Sequence, residues 1–305
     1  MTTTSARTVP GRAVVVGVSG APVDDAALAW SVEECRCSGA PLVIAHACAD
    51  GRDDDPRALT GHPGLTAAIQ RARQELGEDR VTVRVQPPPS DSMLLNLVTA
   101  ADLLVVGPPS RGRWTHWGST TQYVARHAPC PVVVARPAPP PADAPFAGQV
   151  VVGVDGSRAA HAAIGFAFAY AYEQTLPLVA VTVTADDHRD VWYDDQRLET
   201  HLTVEPAALQ SLAANLEPWQ RLYPTVWAKR AVFAGRPVDG LLRAGQGARL
   251  LVIGAHAGPS SRRVLLGSTT LDTITRAAGP VAIVQSPPES ADRPSAYQEV
   301  HDVRA

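Results

Sequence analysis

Apolar residues in this chain gather in short unbroken runs that end on glycine or a small polar residue. The first reads Ala13-Val14-Val15-Val16-Gly17-Val18-Ser19-Gly20. A run with no polar alternation predicts a strand covered on both faces, as in parallel sheets. Similar runs follow at Pro41 to Ala47, Val81 to Val85, Leu103 to Gly107 and Pro131 to Ala135. Between them the pattern predicts helices. One follows Pro22, whose ring suits a first turn, with Asp24 and Asp25 favouring the helix dipole. The others cover Leu65 to Leu76 and Met93 to Ala100, and a last one starts after Gly118-Ser119-Thr120-Thr121.

A Pro- and Ala-rich stretch, Pro137 to Pro145, reads as a semi-rigid linker. Beyond it the same order returns. Gly17 to Gly153 is 136 positions, and so is Pro41 to Pro177. Gly107 to Gly254 is 147, and Pro131 to Pro280 is 149. The second copy has therefore gained residues between its second and fourth strands, and the gain is placed in Asp186 to Val204. Glu205 to Tyr223 reads as a helix interrupted near Pro218. The expected fold class is α/β, with two repeated open parallel five-stranded sheets flanked by helices in a Rossmann-like arrangement. The expected domains are 11–137 and 149–287, joined by a linker at 138–148 and followed by a polar tail at 288–305. The two fifth strands, Val132 to Ala135 and Val281 to Val284, are expected to pair across a pseudo-two-fold.

The stretch Leu250 to Thr270 is the first candidate for chemistry. An apolar run ends at Gly254, passes through Ala255-His256-Ala257-Gly258, and reaches Gly267-Ser268-Thr269-Thr270. Glycine permits close backbone approach, and hydroxyl residues at a helix start sit beside N–H groups that bind anions. An ordinary strand–loop–helix connection with a capping serine would look the same. In open parallel sheets ligands bind beyond the carboxyl ends of the strands. Asp155-Gly156-Ser157 would face that crevice too, although Asp-Gly is also a common turn.

Composition narrows the function classes. The chain has 305 residues, 45% of them hydrophobic, enough for two packed cores. A net charge of −3 and an aromatic content of 5% give no electrostatic footprint or stacking platform for nucleic acid. No apolar run approaches a membrane span, and Met1 to Pro10 lacks the apolar core of a signal peptide. A cytoplasmic location with reduced thiols is expected. Cys35 and Cys37 have no neighbouring partner cluster for a metal, and none is expected. Lys229 is the only lysine and follows Ala228, which rules out a Walker A loop. Any phosphate site must use backbone, hydroxyls or arginine.

With these residues in hand, the chain resembles the universal stress protein family in its tandem form, a fold related to the adenine nucleotide alpha hydrolases. The resemblance rests on Gly153-Val154-Asp155-Gly156-Ser157 and on the loop after the fourth strand, across both halves from about Gly11 to Pro287. ATP-binding members of that family carry Gly-x2-Gly-x9-Gly-Ser/Thr in this loop. Here Gly254 and Gly267-Ser268 match, while Ala257 stands at the middle glycine and Gly258 one place later. The resemblance implies ATP, with or without Mg2+, as the bound cofactor of the second half. Asp155, with Val154 beside it, would contact the ribose or adenine, and Val183 would line the adenine pocket. The backbone at Gly254, Ala257 and Gly267, with Ser268 and Thr269, would hold the phosphates. Gly258, Arg262 and Arg263 are secondary candidates.

The first half departs further from the pattern. Ser19 replaces the aspartate, and Gly107 to Gly118 is two positions shorter than Gly254 to Gly267. Trp114 and Trp117 crowd the loop. Gly118, Ser119 and Thr120 keep an anion-type helix start. The leading expectation is a nucleotide-responsive stress regulator with little or no turnover, an unidentified protein partner and homo-oligomeric association. The alternatives are a ligand-free interaction module with decayed sites, and an ATP-hydrolysing or nucleotidyl-transfer enzyme of related fold. Gly153-Val154-Asp155-Gly156 lacks the third glycine of a dinucleotide fingerprint.

Overall fold

A computed structural model of the chain describes residues 13–20, 25–48, 63–99, 103–108, 120–136, 144–185, 191–193, 206–257 and 264–286. In the first repeat the strands are β1 (Val14–Val18), β2 (Leu42–Ala47), β3 (Val81–Gln86), β4 (Leu103–Val106) and β5 (Val132–Val134). They alternate with helices α1 (Asp25–Ser38), α2 (Pro63–Leu76), α3 (Ser90–Leu97) and α4 (Thr120–His127). In the second repeat β6 (Val150–Gly153), α5 (Arg158–Gln174), β7 (Leu178–Thr184), β8 (Val191–Tyr193) and α6 (Pro206–Leu222) come first. Then follow β9 (Ala228–Ala234), α7 (Pro237–Ala244), β10 (Leu250–Ala257), β11 (Val264–Leu265), α8 (Ser268–Arg276) and β12 (Val281–Gln285).

The sheets of the two repeats merge into one of twelve strands, five from the first repeat and seven from the second. Strand order runs β3-β2-β1-β4-β5-β12-β10-β6-β7-β9-β8, with β11 paired to β10. Within each repeat the main strands are parallel, and at the seam β5 and β12 pair antiparallel. Val133 faces Ala282 there, flanked by Val134 with Val281 and Val132 with Ile283. Val133 and Ala282 are 149 positions apart, the repeat offset at that point. The pseudo-two-fold thus passes between them, as expected for the fifth strands.

Both faces of the sheet are packed, which explains the unbroken apolar runs. Val14, Val16, Val150 and Val152 point into one core layer, under α1, α2, α5 and α6. Val15, Val151, Leu104 and Leu251 point into the other, under α3, α4, α7 and α8. Each layer contains residues from both repeats, so burial continues across the seam. Phe146, at the end of the Pro/Ala stretch, is buried against Phe233 of β9 at 6.1 Å between ring centroids.

Three local features differ from the pattern reading. Helix α6 runs through Pro218 without a break. An interior proline costs about 3 kcal/mol, and the burial of Leu212 and Leu216 outweighs it. Trp219, one turn on, packs against Gly165 of α5, where a Cβ would lie 2.5 Å from the indole ring. The inserted stretch contributes β8, an antiparallel strand on the outer edge of β9. Strand β10 continues past Gly254 to Ala257, pairing with β12 up to Ala255 and with β11 at His256 and Ala257.

Candidate functional site

The chain winds outward from β6 through β7 to β9, then returns to place β10 on the other side of β6. The order reverses between β6 and β10, and the crevice of such a sheet opens there, at the carboxyl ends. The segment after β6 and the connection from β10 to α8 flank this point.

Val154 is buried, and its N–H donates to Val181 at 2.8 Å, extending the β6–β7 ladder by one step. Asp155 is exposed at the crest, and its Oδ1 accepts the Ser157 N–H at 2.9 Å. That is the local turn bond of an Asx residue. Gly156 has φ +76°, a conformation that favours glycine. Ser157 caps α5 by accepting the Ala160 N–H at 3.1 Å. The turn is therefore built by its own residues, and it holds the Asp155 carboxylate at the edge of the crevice.

Gly254 has a structural cause. A Cβ there would lie 2.4 Å from both the carbonyl carbon and the carbonyl oxygen of Ala159, in the first turn of α5. The missing side chain faces the helix backbone. The close approach expected toward a phosphate is, at this position, a close approach of helix to strand.

Gly267 is the opposite case. It is the N-cap of α8 with φ −62° and ψ 163°, ordinary extended backbone. Among the described residues a Cβ there would meet nothing within 4 Å, and the residue is exposed. Neither the backbone nor packing among the described residues requires glycine. It leaves open the space above the free N–H groups of the first turn, where Ser268 is exposed and Thr269 half-buried. Free N–H groups at a helix start are a donor set of the kind that binds anions.

Val183 lies near the carboxyl end of β7, half-buried. Its methyls pack on Gly240 of α7, where a Cβ would lie 2.7 Å from Cγ2. The glycine inside α7 thus brings that helix down onto β7. An ion pair between Arg276 and Asp239, 3.0 Å, ties α8 to α7. Arg243 donates to the Ala234 carbonyl at 2.8 Å and holds the turn after β9.

Ala257 sits in the paired strand β10 opposite Val264 rather than in a loop. Gly258, Arg262 and Arg263 lie outside the described residues, as do Gly118 and Ser119 of the first repeat. So do Trp114, Trp117 and Asp53 to Asp55. Thr120 opens α4, and the neighbouring Thr121 hydroxyl donates to the Gly107 carbonyl at 2.9 Å. Among the described residues no group of three or more His, Cys, Asp or Glu side chains could hold a metal ion. Among them, too, no helix is long and apolar enough to cross a membrane.

Sequence reasoning missed Gly240, Asp239 and Arg276, which connect the two sides of the crevice. Their signal in the sequence is weak, because Gly240 reads as a breaker within the eight residues of α7. A groove of about 940 Å³ opens elsewhere, at the amino-terminal edge of the sheet, between Ser38, Tyr172, Thr175 and Trp227. None of the described site candidates lines it.

A universal stress protein of Mycobacterium tuberculosis is 28% identical over 299 residues, spanning 89% of this chain and 96% of that protein. A second from the same organism is 27% identical over 290 residues, with the same coverage. The crystal structure of a universal stress protein from Archaeoglobus fulgidus superposes with a TM-score of 0.61 at 14% identity. It covers 92% of this chain and 100% of that one, a likeness of fold. Residues 11–136 match the universal stress protein family, and residues 147–285 match it again. The chain belongs to the universal stress protein family and carries two copies of its fold.

Proposed function

We propose that this protein binds an adenine nucleotide, with ATP as the first candidate, at the crevice between β6 and β10 of its second repeat. Binding biases its shape or its association with a protein partner, a second copy of the chain included. One observation carries the reading: Gly267 is glycine where neither backbone nor packing among the described residues asks for it, at an N-cap with no described atom over it. Asp155, across the strand-order reversal, supplies the polar group for the ribose side. The described groups are N–H donors, hydroxyls and one turn-bound carboxylate. They form a binding set rather than a nucleophile with its base. Mg2+ would be held chiefly by the phosphates and water, its usual habit.

One observation favours a second reading, an interaction module without a ligand. Ala257 occupies the place of the family's middle glycine and is committed to a strand pair with Val264. The test is the nucleotide content of freshly purified protein, followed by ATP turnover against a Ser268→Ala control. About one adenine nucleotide per chain and equal, negligible turnover support a binding protein. Turnover well above the control supports the enzyme reading. Absence of nucleotide, with no uptake after stripping, favours the interaction module.

A further inference from the structure

Arg136 and Gln285 hold equivalent places in the two repeats, 149 positions apart, at the ends of their fifth strands. Each reaches across the seam to the last helix of the other repeat. The Arg136 guanidinium donates to the carbonyls of Ile274 and Thr275, the latter at 3.3 Å, near the carboxyl end of α8. The Gln285 amide donates to the Ala125 carbonyl of α4 at 3.1 Å. Ala125 and Ile274 are themselves 149 positions apart. The two contacts are one contact repeated by the pseudo-symmetry, and they differ in charge.

That difference bears on the nucleotide site. Carbonyls at a helix carboxyl end carry partial negative charge, and N–H groups at the other end carry partial positive charge. Helix α8 therefore has a cation at one end and, at the other, the open cap at Gly267. At the equivalent place helix α4 receives the neutral amide of Gln285. At nine residues α8 is roughly 13 Å long, a short rod whose tilt at one end moves the other. Arg276 then ties α8 to Asp239 of α7, and Gly240 of α7 seats Val183. A continuous line of contacts runs from the first repeat to both walls of the second repeat's crevice.

We infer that Arg136, a first-repeat residue, is a positioning residue for the second repeat's nucleotide site. It clamps the carboxyl end of α8, sets where the first-turn N–H groups stand, and makes affinity at that site depend on the seam between repeats. The inference rests on the nucleotide reading given above.

The experiment compares wild type, Arg136→Ala, Arg136→Lys and Gln285→Ala in two measurements. Hydrogen exchange of the 268–276 segment is followed without ligand, and ATP affinity is measured by calorimetry. Arg136→Ala should speed exchange in that segment and weaken ATP binding about tenfold, within the usual range of coupling between sites. Arg136→Lys should restore part of both, because it returns the cation. Gln285→Ala should change neither. If exchange in the segment is unchanged in Arg136→Ala, the clamp is overturned. If wild type binds ATP and Arg136→Ala binds it equally well, positioning is overturned while the site stands. If wild type binds no nucleotide, the site reading falls and the inference falls with it.

Discussion

Glu34 and Tyr170 occupy equivalent positions in the two repeats, 136 residues apart, and bond to each other: the Tyr170 hydroxyl donates to Glu34 Oε2 at 2.9 Å. Gln174 donates its side-chain amide to the same oxygen at 3.2 Å. Glu34 is 1% exposed and Tyr170 not exposed at all. The pseudo-two-fold that passes between Val133 and Ala282 in the sheet therefore also passes between α1 and α5. In a dimer of identical repeats this position would face itself, carboxylate on carboxylate, which burial does not tolerate. Joining the repeats in one chain allows a donor on one side and an acceptor on the other.

This pair should couple energetically. Tyr170→Phe keeps the ring and removes the hydroxyl from a buried carboxylate, at an expected cost of about 1–3 kcal/mol. Glu34→Gln retains an acceptor and should cost less than Glu34→Ala. In a denaturation double-mutant cycle, Glu34→Ala and Tyr170→Phe, each of which removes the bond, should show a coupling of at least about 0.5 kcal/mol. Additive effects would mean that the bond contributes nothing specific to the seam.

The two glycines of the β10–α8 connection should respond in opposite ways. Gly254→Ala forces a Cβ into the Ala159 backbone and should destabilise the fold by about 1–3 kcal/mol, the usual range for overpacking. Gly267→Ala meets open space and should shift the melting temperature little. Equal destabilisation by both would contradict the assignment of Gly254 to packing and Gly267 to the crevice.

Burial, followed by the neighbouring Glu34 carboxylate, pushes the Cys35 thiol from 9.0 up to about 12. The folded state thus keeps a proton that the unfolded chain releases above about pH 9. The resulting stability is complete below that pH and is lost as pH rises toward 12, at about 1.4 kcal/mol per pH unit. Wild type should lose stability relative to Cys35→Ala across this window in denaturant titrations. Parallel pH profiles would refute the shift. Cys35 in the folded protein should also resist alkylation at pH 8.

The repeat was legible because equivalent contacts require equivalent residues. Gly17 and Gly153 read alike since each lets a leucine sit on its strand, Leu94 in one repeat and Leu241 in the other. Elements were missed where local chemistry argued against them. Lys229 and Arg230 interrupt the apolar run of β9, which is nevertheless held between β7 and β8. Gly240 reads as a breaker inside α7, and its purpose appears only once Val183 is seen against it. Strand β10 outlasts its apolar run because β12 and β11 supply partners that the segment itself does not announce. At the candidate site, Asp155 and Gly267 stand out in the sequence through the resemblance and its loop motif, and their roles there are the ones proposed above. The inter-repeat contact of Arg136 is visible only when the two copies are laid side by side in space.

The most direct measurement is calorimetric titration of ATP into nucleotide-free wild-type protein and into Gly267→Val and Asp155→Ala, each checked for an unchanged circular dichroism spectrum. A stoichiometry of about one per chain is predicted for wild type. Affinity should fall at least about tenfold in Gly267→Val, whose side chain fills the space above the α8 cap. A folded Gly267→Val and a folded Asp155→Ala that both bind ATP as tightly as wild type would contradict the account.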